Sequence, residues 1–221
     1  MNKQNIVIFG AGNTSRVVID IIEREDKYKI IGIINKGDGK MTISNYEVLG
    51  DESILKYLLH EKQLYGGIVG PADNYTRFKI VEKIKSSVPE FNFITAIHPN
   101  AVIAKNVSIG LGTYIMAGVV INSGAKIGNN CLLNTKSSFD HDSQMDDFSS
   151  LAPGVTIGGS VKIGKLSAIS LGANVINDLS IGESTVIGCG ATVTRNMPSN
   201  VVAYGVPCRV IRSRTIDEKY F

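Results

Sequence analysis

The chain has no tryptophan, only six prolines and three cysteines, and aromatic residues make up just 7% of it. Cys131, Cys189 and Cys208 cannot all pair and show no CxxC spacing, so packing is expected of them rather than a disulfide framework or a metal site. Long apolar runs are missing too. The longest nearly uncharged one, around Tyr114 to Ile121, falls far short of the ~20 residues that cross a bilayer, and Met1 to Gly10 carries no signal-peptide core. A cytoplasmic protein without membrane attachment is expected. Neither sign of charge dominates: 23 basic and 20 acidic residues give +3, spread along the chain. Nucleic-acid binding by counterion release therefore has no electrostatic footprint, although the tail cluster Arg209, Arg212 and Arg214 suffices for a phosphate or two. At 221 residues and 43% hydrophobic, the chain has room for one large domain or two small ones.

What it has in abundance is glycine, 23 residues, and a period. Every sixth residue from Ile97 to Val193 is large and apolar, seventeen in succession. Chance would produce that roughly once in a million trials or less at this hydrophobic content. The residue two places earlier is mostly small (Ala101, Thr113, Ala125, Cys131, Ser143, Ser167, Ala191), and glycine recurs one place later at Gly110, Gly128, Gly158, Gly164, Gly182 and Gly188. A helix at 3.6 residues per turn would scatter such a series around all its faces. A β-solenoid keeps it in one column. Each hexad is then a short strand and a corner, with the large residue inside, the small one beside the bend and glycine expected to make the turn.

On this pattern the second half resembles the hexapeptide-repeat acyltransferases, whose [LIV]-G-x4 motif is matched at Ile109-Gly110, Ile127-Gly128, Ile163-Gly164, Ile181-Gly182 and Ile187-Gly188. The resemblance implies a left-handed parallel β-helix with three hexads per coil, assembled as a homotrimer with acyl-CoA in clefts between subunits.

The first half reads as strand, tight turn, helix, strand: Asn5 to Phe9, then Gly10-Ala11-Gly12, then Val17 to Ile22, then Lys29 to Ile34. Glycines in that position let a backbone approach a phosphate at a helix N-terminus. The dinucleotide fingerprint is incomplete, with Ser15 where its third glycine belongs and Asn35 where a ribose-binding acid is expected. A plain turn and a nucleotide-sugar phosphate site both remain open. Glu52 to Glu61 and Tyr75 to Ser86 read as helices around a third strand, Gly66 to Val69, which is followed by the loop Gly70-Pro71-Ala72-Asp73-Asn74. Both loops open on the carboxyl edge of a small parallel sheet.

The whole layout is similar to one branch of that superfamily, the sugar acetyltransferases that N-acetylate nucleotide-linked 4-amino sugars, with sialic acid O-acetyltransferases as relatives. The branch's first loop, GAxGHxxVVxD, corresponds to residues Gly10 to Asp20. The fold class this resemblance implies is a Rossmann-like βαβαβ domain (1–96), an all-β left-handed parallel β-helix (97–197) and a tail contacting CoA (198–221). The resemblance implies sugar-nucleotide contacts from Gly10, Ala11, Gly12, Asn13, Asn35, Lys36, Gly70, Asp73 and Asn74.

Of three histidines, His60 lies on an ordinary polar face and His98 at the start of the repeat, where a turn role is expected. His141 sits between Asp140 and Asp142, just past an inward position. From the residues alone a solvated surface histidine and a catalytic one weigh evenly. The stretch from Asn134 to Asp142 resembles the branch's N-T-x5-H-[DE] catalytic segment. That makes His141 the general base, Asp142 its orienting carboxylate, Asn134 a polar partner near the acetyl group and the Gly159 amide a donor to the thioester oxyanion. Acetyl-CoA is expected near Leu171, Gly172, Gly188, Cys189 and Gly190, with Pro207 and Arg209 from the terminal G-x-P-A-[KR] motif. No metal is expected. Ser150 stands where some relatives carry a second histidine. The expected activity is acetyl-CoA-dependent N-acetylation of a UDP-, GDP- or dTDP-linked 4-amino-deoxyhexose. Sialic acid O-acetylation and a non-catalytic nucleotide-sugar-binding protein are the alternatives.

Overall fold

The computed structural model describes residues 3–36 and 42–220. The first half is a sheet with helices on it: β1 (Gln4–Phe9), α1 (Asn13–Glu25), β2 (Tyr28–Ile34), β3 (Thr42–Ile43), β4 (Tyr46–Gly50), a 3-10 turn (Glu52–Ile54), α2 (Leu55–Glu61), β5 (Leu64–Val69) and α3 (Asn74–Ser87). The order is β3-β4-β2-β1-β5. β1 is central and parallel to both neighbours, so its apolar Ile6, Val7, Ile8 and Phe9 are buried on both faces. The small sheet read from sequence has two more strands than expected, because β3 and β4 form an antiparallel hairpin at its edge.

The second half is a three-sided prism. Seventeen two-residue strands, β6 (Ala96–Ile97) to β22 (Thr192–Val193), each end on a residue of the apolar series. Strands eighteen residues apart pair in parallel, Leu133 with Ile115 and with Leu151 for example, so three hexads make one coil. From Ile115 onward the series is buried and forms a single core. Ile97, Ile103 and Ile109 are only partly covered because the first coil has a neighbour on one side alone. Each fully buried aliphatic side chain in this column contributes about 1.5–3 kcal/mol.

The small residues carry a second function, hydrogen bonding. Ser143 donates to Gly158 O at 2.9 Å and accepts from Val161 N at 3.0 Å, and Ser167 links Gly182 O and Thr185 N in the same way. A hydroxyl there joins successive coils where a methyl would leave their corner groups unpaired.

The glycines behave differently from expectation. Those one place after the apolar residue do not make the turn. A Cβ on Gly164 would lie 2.6 Å from Glu183 N, and one on Gly110 2.5 Å from Gly128 C. They are required because successive coils touch there. The left-handed residue comes two places further on and repeats every six residues, as Gly118, Gly124, Asn130, Lys136, Asp142, Phe148, Gly154 and so on, at φ between 53° and 77° in these seven.

The three faces differ in what they turn outward. On the first face Tyr114, Leu132, Ser150, Ala168 and Val186 are buried, whereas Lys126, Gln144 and Lys162 on the third are exposed. The N-terminal sheet packs on the first face and on the corner before it, where Phe148 and Leu166 join the core of α2 and α3. Residues after 197, expected as a tail, continue the first face: β23 (Val201–Gly205) adds parallel to Val186–Ile187, and β24 (Cys208–Ser213) adds antiparallel beyond it.

Candidate active site

His141 and Asp142 stand on the corner between the second and third faces. Asp142 has φ 57°, a conformation aspartate tolerates better than most residues, and this brings its Oδ2 to 2.9 Å from Nδ1 of the preceding His141. A carboxylate only accepts, so Nδ1 carries the proton and Nε2 presents a lone pair. The ring is half exposed and lies over the next coil: a Cβ on Gly159 would meet Nε2 at 2.6 Å. Gly159 is glycine because the imidazole occupies that space.

Below the ring, Asp140 Oδ1 accepts from His141 N at 2.7 Å and from Asn122 Nδ2 at 2.6 Å. The Asp142 hydrogen bond, then the Asp140 charge, push the His141 pKa above its ordinary value against desolvation. Asp140 itself is held below the usual carboxylate range, first by the Asn122 amide and then by the His141 amide. A histidine with this surrounding takes up a proton readily and holds it as imidazolium.

Asn134 lies on a different corner, between the first and second faces. So do Leu171, Gly172, Gly188, Cys189 and Gly190 on later coils. Asn134, Leu171 and Cys189 line one cavity of about 160 Å³ together with Ala72, Ser150, Ser170 and Tyr220. The same corner is bare, since no atom lies within 4 Å of where a Cβ would stand on Gly154, Gly172 or Gly190. Within one chain, then, the candidate base and the candidate acetyl-CoA residues are one side of the prism apart. Pro207 and Arg209 lie at the turn and start of the terminal hairpin, where Arg209 Nη1 donates to its neighbour Cys208 O. Arg212 is paired with Glu218 at the surface.

At the sheet's carboxyl edge the two glycine loops touch. Gly10 has φ 98°, and a Cβ on it would lie 3.0 Å from Pro71 Cδ; one on Gly70 would lie 2.5 Å from Ser15 Oγ. Ser15 thus replaces a glycine of the fingerprint because Gly70 opposite gives it room. α1 starts after Gly12 with no side-chain cap and no acidic residue in its first turn, and the space around Gly12 is open, which leaves amides for an anion from Ala11 to Asn13. Asn35 turns its amide to Lys36 O, and Lys36 is exposed beside it. Asp73 caps α3 through Thr76 N at 2.7 Å.

Asn74 differs from expectation. It is buried, its Nδ2 donates to Leu166 O and Ser167 O, and its Oδ1 accepts from Arg77, so its side chain joins the two halves of the molecule. Arg77 was not singled out from sequence. Its fully buried guanidinium spans both halves, donating to Asn130 O and Phe148 O on the prism and to Pro71 O and Ala72 O in the loop. Tyr114 Oη adds bonds of 3.2 Å to Gly70 O and Pro71 O. The missed signal was the eighteen-residue stride Tyr114, Leu132, Ser150, Ala168 and Val186, which carries no charge, whereas Lys126 and Lys162 stand on the third face.

The N-terminal domain of PglD, as a family, matches residues 5–84. A GDP-perosamine N-acetyltransferase of Escherichia coli O157:H7 is 31% identical over 172 residues, covering 75% of each chain. The chain belongs to the PglD-like branch of the hexapeptide-repeat sugar acetyltransferases. In that branch, a histidine-to-alanine variant of the Caulobacter crescentus GDP-perosamine N-acetyltransferase, solved with CoA and GDP-perosamine, superposes with a TM-score of 0.88 at 32% identity, over 95% of this chain and 97% of that one. The acetyltransferase domain of PglB from Neisseria gonorrhoeae, solved with acetyl coenzyme A, shares the fold at a TM-score of 0.87 and 24% identity, over 95% and 100%. The prism is accordingly a left-handed β-helix, as in these PglD-like relatives.

Proposed function

We propose that this chain transfers the acetyl group of acetyl-CoA to the primary amine of a nucleotide-linked 4-amino-deoxyhexose, a step in making sugars for surface glycans or glycoproteins in the cytoplasm. The observation that carries the mechanism is the 2.9 Å His141–Asp142 pair, which leaves Nε2 as a base on an open corner. The nucleotide's phosphates lie at the uncapped start of α1, with Gly10 to Asn13, Asn35 and Lys36 around them. GDP is the first nucleotide to try, because the relatives at 31% and 32% identity are both described as acting on, or bound to, GDP-perosamine.

An amine is protonated in water and attacks a thioester only as it gives up a proton. His141 Nε2 takes that proton as the nitrogen–carbon bond forms, Asp142 holds the resulting imidazolium, and the CoA thiolate leaves and is protonated in turn. Gly159 N donates no hydrogen bond among the described residues and supplies a donor for the oxyanion.

The same reading requires more than one chain. His141 on one corner and Asn134, Leu171 and Cys189 on another come together when a second subunit sets its corner against the first, and a homotrimer with three shared clefts satisfies every subunit equally.

The decisive assay supplies acetyl-CoA with a panel of nucleotide-linked amino and hydroxyl sugars and follows thiol release. Wild type is expected to acetylate an amine, and His141→Ala to lose at least ~100-fold in turnover with its oligomeric state unchanged. Near-native turnover by the variant removes His141 from its role. Thiol release only with hydroxyl sugars turns the reading to O-acetylation.

A further inference from the structure

The last described residue of the chain is in the wall of the cavity. From Ser213, at the far end of the first face, the chain doubles back along the corner occupied by Ser184. Arg214 N donates to Asn200 O and Arg214 Nη1 to Ser184 O, both at the prism's far end, and Arg212 grips Glu218. This strap delivers Tyr220 two coils back. Its hydroxyl accepts from Asn74 N at 3.0 Å, its side chain shares the cavity wall with Ser150, and the Arg214 guanidinium stands 5.8 Å from the ring centroid. Both ends of the strap are therefore fixed.

The cavity has two ends. Leu171 and Cys189 lie at the glycine-edged corner, and Ala72, Ser150 and Tyr220 lie where the loop after β5 meets the prism. That loop is held rigidly by Arg77 and Tyr114 and opens toward the start of α1, so the second end faces the sugar nucleotide. Ser150, the position where some relatives carry a second histidine, has a small hydroxyl here, and Tyr220 lines the same cavity.

We infer that Tyr220 is a specificity-determining residue for the acceptor: its ring is the wall against which the amino-sugar ring is held, and its hydroxyl, fixed by Asn74, keeps that wall in place. The inference rests on the amino-sugar reading above. It separates the two substrates, since the donor's end of the cavity lies away from this ring.

The test compares full-length wild type, Tyr220→Phe and Tyr220→Ala for turnover of nucleotide-linked 4-amino sugars, with KM measured separately for acceptor and for acetyl-CoA. Tyr220→Ala is expected to raise the acceptor KM about tenfold or more while the acetyl-CoA KM stays within about twofold, and to narrow the discrimination between acceptors of different ring substitution. Tyr220→Phe, which keeps the ring, is expected to recover most of the loss. An unchanged acceptor KM in Tyr220→Ala, a change in the acetyl-CoA KM instead, or a Phe variant no better than Ala each overturns the inference. If Tyr220→Ala does not fold at the assay temperature, Tyr220→Leu replaces it under the same criteria. A wild type that acetylates no amine strikes down the proposed activity itself and this inference with it, a failure visible before any variant is made.

Discussion

Asp142 does two things with one backbone conformation. Its left-handed φ of 57° closes the corner, and the same twist points its carboxylate at its own neighbour's imidazole. Asn also tolerates that conformation, so Asp142→Asn removes the charge without straining the turn. The sign of its effect on pH follows from the cause of the shift. Asp142 raises the His141 pKa above the ordinary histidine value, so the neutral base is lost as pH falls through a point higher than that value. The acid limb of kcat/KM is expected above the ordinary histidine value in wild type, and to move to lower pH in Asp142→Asn together with a lower plateau. A limb that does not move shows that the titration belongs to another group.

The repeating element is a hexad with two places where glycine occurs for different reasons. At Gly164 the next coil's backbone fills the space, whereas Gly154 has φ 70° and nothing within 4 Å of a Cβ. Asn substitution tells them apart. Gly154→Asn is expected to cost clearly less than Gly164→Asn, because Asn accepts the left-handed conformation and no atom of its own chain stands in the way. Gly164→Asn must push two coils apart and is expected to cost about 1–3 kcal/mol or more, measured by chemical denaturation. Equal losses at the two sites contradict the close-approach account. The left-handed column also carries Phe148 and Leu166, bulky residues that seldom adopt it, at φ 61° and 62°. Their side chains are buried against the N-terminal half, and that packing offsets the strain.

At the scale of the molecule, the prism is a straight edge on which the sheet's loops are mounted. Arg77 makes the mounting rigid: a guanidinium this deeply buried, with no carboxylate paired to it among the described residues, is tolerable only because carbonyls and the Asn74 amide satisfy its donors. What the single chain leaves apart, the proposed trimer joins, and mixing tests this. His141→Ala and Leu171→Glu each spoil one half of a shared cleft. Coexpressed, they are expected to regain activity at one cleft in each mixed trimer, about one quarter of all clefts at equal expression. No recovery from a verified mixed assembly places the whole site within one subunit.

The β-helix was legible because a period of six leaves its residues nowhere else to be buried, and Ile97 to Val193 mark its strands one by one. The glycine loop at Gly10 was legible because a strand, a tight turn and an apolar helix stand in immediate succession. The sequence by itself determined these local and periodic features, since each depends on neighbours a few residues away. The tertiary structure alone decided which face of the prism the sheet covers and that Asn74 and Arg77 form a joint. It also decided that Tyr220 returns to the cavity. Those contacts join residues 43 to 146 positions apart, and no spacing in a chain encodes which distant surfaces will meet until the coils have stacked and buried their apolar columns.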